Sequence, residues 1–312
     1  MIPLIATLTL NPTIDLACEA AEVRPVRKIR TTAERADPGG GGINVARVVQ
    51  ELGGETLAIF LAGGVTGRFL EELLDEIALP RRSLPIAGRT RISQTVLDRS
   101  RGEEFRFVAE GPEVAEAEWQ AVLRALEVLP PGSWLVASGS LPRGVPEDIY
   151  GRIGDLARRR GLRLVLDSSG PALRAGLGHG AELIKPSLGE FEALVGRPLG
   201  APGALEEAAS ALVAGGAARR IAVTLGQDGA LLAHAGGTLR LPALPVTVRG
   251  AVGAGDSFVA AMVLALARGA AEADAFAWGV AAGAAAVSQA GTAHPARADV
   301  AALRARLAPP PG

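Results

Sequence analysis

The sequence predicts an α/β fold in which a mostly parallel central sheet is covered by helices, with a small separate β-sheet attached. Three observations carry this. Apolar runs of strand length alternate with amphipathic runs of helical period along most of the 312 residues, which is the pattern of a parallel sheet with crossover helices. The composition is 48% hydrophobic but only 4% aromatic, enough for a large core built mainly from Ala, Leu and Val. Two stretches, at about 17–35 and 90–108, break the alternation and fit no β-α-β unit.

Taken in order, Ile5–Leu10 reads as a strand, Ile43–Leu52 as a helix, Thr56–Leu61 as a strand and Gly67–Ile77 as a helix. Between the first two, Ala17 to Arg35 is polar and extended. Thr90 to Val108 alternates like a hairpin with Arg99 to Gly102 at its turn, and the two irregular stretches together suit a lid. Trp134–Ala137 is a strand, Glu147–Arg160 a helix, and Leu162–Leu166 a strand ending on Asp167. Leu183–Lys185 is a further strand, followed by a helix from Leu188. Ile221–Leu225 is a strand, and Gly229–Ala235 with Thr238–Leu241 makes a hairpin around Gly236-Gly237. Ser257 to Arg268 and the Ala-rich Val280–Val287 read as helices, the second buried. The final Pro-Pro-Pro-Gly is expected to fray.

Charge and cysteine content narrow the function. The net charge is -1, so no nucleic acid or anionic membrane is expected as a partner. The single Cys18 excludes an intramolecular disulfide. The N-terminus lacks a basic region before its apolar run and reads as a strand, not a signal peptide. Val259 to Leu266 is too short to span a bilayer. A cytoplasmic protein is expected.

Five local patterns offer chemistry. Ala251-Val-Gly-Ala-Gly-Asp256 precedes a helix, where Gly253 and Gly255 let backbone N–H groups converge and the helix start adds positive partial charge. That turn suits a phosphate or a developing phosphoryl charge. Asp256 falls in the first turn, where the helix start is expected to make it more acidic than usual; the same residue type is also a favoured cap. Pro38-Gly-Gly-Gly-Gly-Ile-Asn44 places four glycines where a ligand can touch the backbone, though a flexible loop has the same look. A dinucleotide fingerprint there would require a preceding strand, and Glu34 to Pro38 does not read as one. Asp15 follows the first strand at the expected C-terminal sheet edge, where it can bind two sugar hydroxyls or simply be solvated. Lys28, Arg30, Arg91 and Arg106 lie in the irregular segments and suit phosphate contacts. Finally, Lys185 ends a strand and Glu190 opens a helix, where it can hold a hydrated Mg2+ or only complement the helix dipole. His179, His234 and His294 are dispersed and are given no chemistry.

Together these motifs resemble the pfkB-type sugar kinases of the ribokinase-like superfamily. The likeness runs from Thr7-Leu-Thr-Leu-Asn-Pro12 to Gly291-Thr292 and includes Ser138-Gly-Ser-Leu-Pro142 and Asp167-Ser-Ser-Gly170. Within the family, Gly39 to Arg47 is nearest the minor bacterial 6-phosphofructokinases. The resemblance implies a three-layer ribokinase-like domain over 1–312, with a lid sheet through which a homodimer forms. It implies ATP-dependent phosphorylation of a sugar phosphate, fructose 6-phosphate to fructose 1,6-bisphosphate, with Mg2+. A 1-phosphofructokinase or a tagatose-6-phosphate kinase is the alternative. Those relatives carry Lys where Gly41 stands, whereas Gly88-Arg-Thr-Arg-Ile92 is more like the 1-phosphofructokinases.

Carried over by position, the resemblance makes Asp256 the base, with Gly253, Ala254 and Gly255 as the anion hole. Asp15, Gly40, Gly41 and Asn44 would hold the sugar. Lys28, Arg91 and Ser140 would hold its phosphate, and Arg30 would reach across a dimer. Lys185, Ser187, Thr224 and Gly226 would face the ATP phosphates, Glu190 would place Mg2+, and Val252, Ala286 and Gln289 would lie by the nucleoside. Three positions depart from the family: Ser187 replaces Asn, Ala251 replaces Thr, and Ala293 replaces a basic residue. All three bear on nucleotide handling.

Overall fold

The structure is a computed structural model that describes residues 2–250, 252–289 and 294–307. The chain opens on β1 (Ile5–Thr9), β2 (Thr13–Ala20) and β3 (Thr31–Gly39). Then come α1 (Gly41–Glu51), β4 (Thr56–Ala62), α2 (Gly64–Glu76), β5 (Arg81–Pro85) and the hairpin β6 (Arg91–Asp98) and β7 (Glu103–Val108). Next are α3 (Glu116–Glu127), β8 (Trp134–Ser138), α4 (Ile149–Arg160), β9 (Arg163–Asp167), α5 (Gly170–Gly176), β10 (Leu183–Ile184) and α6 (Leu188–Val195). The described chain finishes with α7 (Ala204–Ala214), β11 (Arg220–Thr224), β12 (Ala230–His234), β13 (Gly237–Leu241), α8 (Ala254–Ala267), α9 (Glu272–Val287) and α10 (Arg297–Arg306).

The large sheet has nine strands in the order β13-β12-β11-β10-β9-β8-β1-β4-β5. It is parallel from β11 to β5, and the β12–β13 hairpin extends it antiparallel. Side chains alternate between two cores, as the period of a strand requires. Ala6, Leu8, Leu135 and Ala137 join the core under α3 to α7, while Ile5, Trp134 and Val136 join the core under α1, α8, α9 and α10. Burying each such large side chain stabilises the fold by about 1.5–3 kcal/mol. Helix α8 is buried from Ser257 through Leu266, wedged between the sheet and α9, so its sequence shows almost no polar face. Among the described residues no helix is long and apolar enough to cross a membrane.

The second sheet is the lid, in the order β3-β2-β6-β7. Its hairpin turn falls at Arg99 to Gly102, between β6 and β7, as the sequence predicts. Two expectations are corrected here. The lid begins at Thr13, not near residue 17, so Asp15 is a lid residue in β2 and not part of the main sheet edge. Glu34 to Pro38 does form a strand, β3, paired antiparallel with β2. It is hard to read because Thr32 to Arg35 are exposed on both faces, which erases the alternation. The strand before the glycine run therefore belongs to the lid and not to the parallel sheet, so a dinucleotide-binding unit is still excluded.

Candidate active site

The C-terminal ends of the parallel strands supply the centre of the site. β8 ends on Ser138, β9 ends on Asp167, and Lys185 directly follows β10. Lys185 Nζ lies 3.1 Å from Asp167 Oδ1. Ser138 Oγ lies 3.5 Å from both Asp167 Oδ2 and Asp256 Oδ1, with one proton to donate between them. From the other side Asn44 Nδ2, on α1, donates to Asp256 Oδ2 at 2.9 Å. One polar chain thus runs Lys185, Asp167, Ser138, Asp256, Asn44. Ser138 and Asp167 are matched in the motifs but given no role in the sequence reading. The available signal is positional: each is the polar residue that ends an apolar parallel strand.

Asp256 is not the cap of α8. That position is Gly253, whose φ of 76° places it in the left-handed region and whose carbonyl accepts from Ser257 N. Asp256 sits in the first turn with its carboxyl turned to Asn44 and Ser138. A helix start leaves its first N–H groups without intrahelical partners, here on the turn Gly253, Ala254, Gly255. The Lys185 ammonium lies against Gly255, 3.1 Å from where a Cβ would stand. Free N–H groups beside a buried ammonium make a strong anion site.

The electrostatics overturn one expectation. The helix start was expected to make Asp256 more acidic. Instead burial, and then the charge of Asp167, push its carboxyl up to about 7, against the hydrogen bond from Asn44 and the charge of Lys185. Desolvation of the ionised form outweighs a half-charge at the helix end. Burial also works against the Lys185 ammonium, but the charges of Asp167, Asp256 and Glu190 prevail and hold it above its ordinary range.

The lid brings Asp15 opposite Asp37 of β3 and Ser93 of β6. Burial raises the Asp15 carboxyl to about 6; Arg106 and Arg91 pull it down, Asp37 pushes it up and Arg47 pulls it down. Arg91 donates from Nη2 to Asn11 O at 2.9 Å and from Nη1 to Ala109 O at 2.7 Å, tying β6 to the end of β1. Asn11 Nδ2 donates in turn to Ser140 Oγ at 3.2 Å and Glu110 O at 2.8 Å. Asp15, Arg91 and Ser140 are therefore linked through one corner. Lys28 and Arg30 are not brought there: both are exposed between β2 and β3 and touch no polar group among the described residues. Gly40 and Gly41 start α1 beside Thr9 and Ser138, with no room for a side chain at 41.

On the far side of the anion hole lies a cavity of about 660 Å³, lined by Thr224, Gly226, Leu244, Val246, Phe258 and Gly283 among others. It is mostly apolar and of a size that holds a small ligand. Helix α9 faces it with Val280, Gly283, Ala284 and Val287, three and four positions apart as one helix face demands. Two expectations shift. Ala286 is buried on another face of α9 and does not line the cavity. Val252 lines a separate narrow cleft with Asn44, Arg47, Ser257 and His294. Gln289 lies just past α9, its N–H donating to Ala286 O.

Ser187 caps α6 and pairs with Thr224 in a short parallel bridge. Glu190 Oε2 accepts from Ser187 N and Ser187 Oγ, each at 2.8 Å. This is a complete capping box that engages Oε2, and among the described residues no hydrogen bond to Glu190 Oε1 is formed. Mg2+ binds through one or two carboxylates plus phosphate and water, so Glu190 fits that ion. Among the described residues no group of three or more His, Cys, Asp or Glu side chains forms a metal cage. Ala251, Gly291, Thr292, Ala293 and the C-terminal prolines lie outside the described residues.

Similarity to known proteins bears on this geometry. The model of the pfkB family of carbohydrate kinases matches residues 8–299. The chain is 42% identical over 299 residues to the ATP-dependent 6-phosphofructokinase isozyme 2 of Mycobacterium tuberculosis, across 96% of this chain and 88% of that one. It superposes on phosphofructokinase-2 of Escherichia coli in complex with fructose-6-phosphate with a TM-score of 0.93 and 38% identity, covering 98% of this chain and 100% of that one. The tetrameric inhibited form of the same E. coli protein superposes with a TM-score of 0.92 at 38% identity, covering 98% and 99%.

Proposed function

The chain belongs to the pfkB family of carbohydrate kinases, and from that premise we propose that it is an ATP-dependent 6-phosphofructokinase. Its nine-stranded sheet and lid are the ribokinase-like fold that the motifs implied. We read residues 1–312 as one kinase domain that carries the lid. The observation that carries the activity is the chain from Asn44 through Asp256 to Lys185, set between a lid carboxylate and an apolar cavity.

In this reading Asp15, Asn44 and the Gly40–Gly41 backbone bind the sugar, while Arg91 and Ser140 hold its phosphate. The acceptor hydroxyl then lies by Asp256, which takes its proton as the bond to phosphorus forms. With a carboxyl that titrates near 7, Asp256 is well matched to that task at neutral pH. The N–H groups of Gly253, Ala254 and Gly255, with Lys185, stabilise the charge on the transferring group, the main requirement of phosphoryl transfer. Ser187, Thr224 and Gly226 lie toward the ATP phosphates, and the cavity takes the nucleoside, with Gln289 at its edge. Glu190 would hold Mg2+, which supplies charge neutralisation at the ATP phosphates.

We further read the enzyme as a cytoplasmic homodimer joined by the lid. Val26, Ile29, Ile92 and Phe107 are exposed on the lid strands and their connections, an apolar surface that a partner would cover. Lys28 and Arg30, idle within one chain, would then serve the neighbouring site. A 1-phosphofructokinase or tagatose-6-phosphate kinase is the second reading, favoured by Gly88 to Ile92. The deciding experiment measures ADP release with fructose 6-phosphate, fructose 1-phosphate and tagatose 6-phosphate. A higher kcat/KM for either of the last two overturns the assignment.

A further inference from the structure

We propose that Arg47 is a positioning residue for the sugar phosphate: from α1 it holds the end of β3 against the Asp15 carboxyl. The inference rests on the kinase reading above. Arg47 is only 7% exposed, and a buried guanidinium is costly unless its hydrogen bonds and charge are used. Its Nη1 donates to Pro38 O at 3.1 Å. Its Nε has no partner among the described residues.

What Arg47 holds is the roof of Asp15. In the β2–β3 ladder Pro38 pairs with Ile14 and Gly39 with Thr13. Gly39 lies so close to Asp15 that a Cβ there would overlap the carboxyl. A tie to Pro38 O therefore fixes the backbone against which that carboxyl rests. The same arginine lines the narrow cleft with Asn44, Val252, Gly253 and Ser257, so one side chain is bonded to the lid strand and borders the cleft that the Gly253 turn also lines.

The charges agree with the geometry. Asp15 is faced by Arg106 from β7, Arg91 from β6, Asp37 from β3 and Arg47 from α1. Burial pushes the Arg47 guanidinium down, and Asp37 and Asp15 push it back. Arg91 and Arg106 belong to the lid strands β6 and β7. Arg47 is the cation of this group anchored on the main body, so it is placed to keep Asp15 ionised and seated together.

The test is steady-state kinetics of the full chain carrying R47M or R47K, with a cycle against D15N. R47M is expected to raise KM for fructose 6-phosphate about tenfold, with KM for ATP within about twofold. It should also move the acid limb of kcat/KM for the sugar to higher pH, whereas R47K, which keeps the charge, should raise KM with a smaller shift. In the D15N background the effect of R47M should shrink, because residues acting through one another are not additive. Equal rises in both KM values, a fall in Tm without that split, or full additivity with D15N overturns the inference. If R47M does not fold, the KM split in R47K decides. A wild type inactive on every sugar phosphate would instead sink the kinase reading itself.

Discussion

Asn44 Nδ2 donates to Asp256 Oδ2 at 2.9 Å, joining residues 212 positions apart. The contact fastens the first glycine run to the second, so the group that would orient the acceptor hydroxyl also orients the base. It favours the ionised carboxylate, but burial and the Asp167 charge win and leave the group titrating near 7. Asp256 is thus held in place by one neighbour and made basic by its surroundings.

The first prediction follows from that tension. Asp256→Asn should cut kcat by about 10³, within the usual range for losing a general base, while both substrates still bind. It should also stabilise the fold. The native carboxyl keeps its proton up to about 7 and the unfolded one only to its ordinary 3.8. Between those values only the unfolded chain sheds its proton, so stability falls as pH rises above 3.8 and levels off above about 7. The Asn variant should melt a few degrees above wild type near pH 8 and level with it below pH 4. Equal melting at both, or near-normal turnover, would refute this account.

The pH profile should show two carboxyl groups. On the proposed mechanism Asp256 must be ionised to accept a proton, and Asp15 binds the sugar hydroxyls best as the ionised, acceptor-only carboxylate. kcat/KM for fructose 6-phosphate should fall as pH drops through about 7 and fall more steeply below about 6. Asp15→Asn should remove the lower inflection and leave the upper one. A single inflection in wild type would mean that only one of the two titrates in the working range.

The fold and the catalytic centre were legible for different reasons. The parallel strands announce themselves because both faces are buried, as in the run Trp134–Ser138. The glycine turns are legible because only a ligand or a close neighbour explains so many glycines together. β3 was missed because Thr32 to Arg35 lack a buried face. The raised Asp256 carboxyl was missed because it depends on Asp167, 89 positions away in sequence and brought near only by the sheet order. Ala286 was placed by motif, whereas helix geometry turns Gly283 and Val287 to the cavity.

Beside its proposed phosphate role, Arg91 makes a backbone tie that the sequence does not show. Arg91→Ala should raise KM for the sugar phosphate by about 10-fold to 100-fold, as for loss of a charge-assisted contact, with KM for ATP little changed. It should also lower Tm, because Asn11 O and Ala109 O lose their donor. Arg91→Lys should recover part of the binding but little of the stability, since an ammonium cannot reproduce the guanidinium fork. Equal changes in both KM values would refute the phosphate role; an unchanged Tm would refute the tie.

Position 41 tests what the glycine at the start of α1 avoids. A Cβ there would overlap Ser138 Oγ and stand 3.0 Å from Ser138 Cβ and 3.1 Å from Gly139 N. Ser138 is the residue between Asp167 and Asp256, so crowding it disturbs the base as well as the sugar. Gly41→Lys should therefore lower kcat by about 10-fold or more, as for a displaced catalytic group, and raise KM for fructose 6-phosphate, without gaining activity on fructose 1-phosphate or tagatose 6-phosphate. Gly41→Ala should show a smaller loss of the same kind. Ser138→Ala introduced into Gly41→Ala should restore part of it, because the overlapping oxygen is gone. If Gly41→Lys instead turns over fructose 1-phosphate better than wild type does, then the side chain at 41 selects the sugar directly and the crowding of Ser138 is not what the glycine avoids.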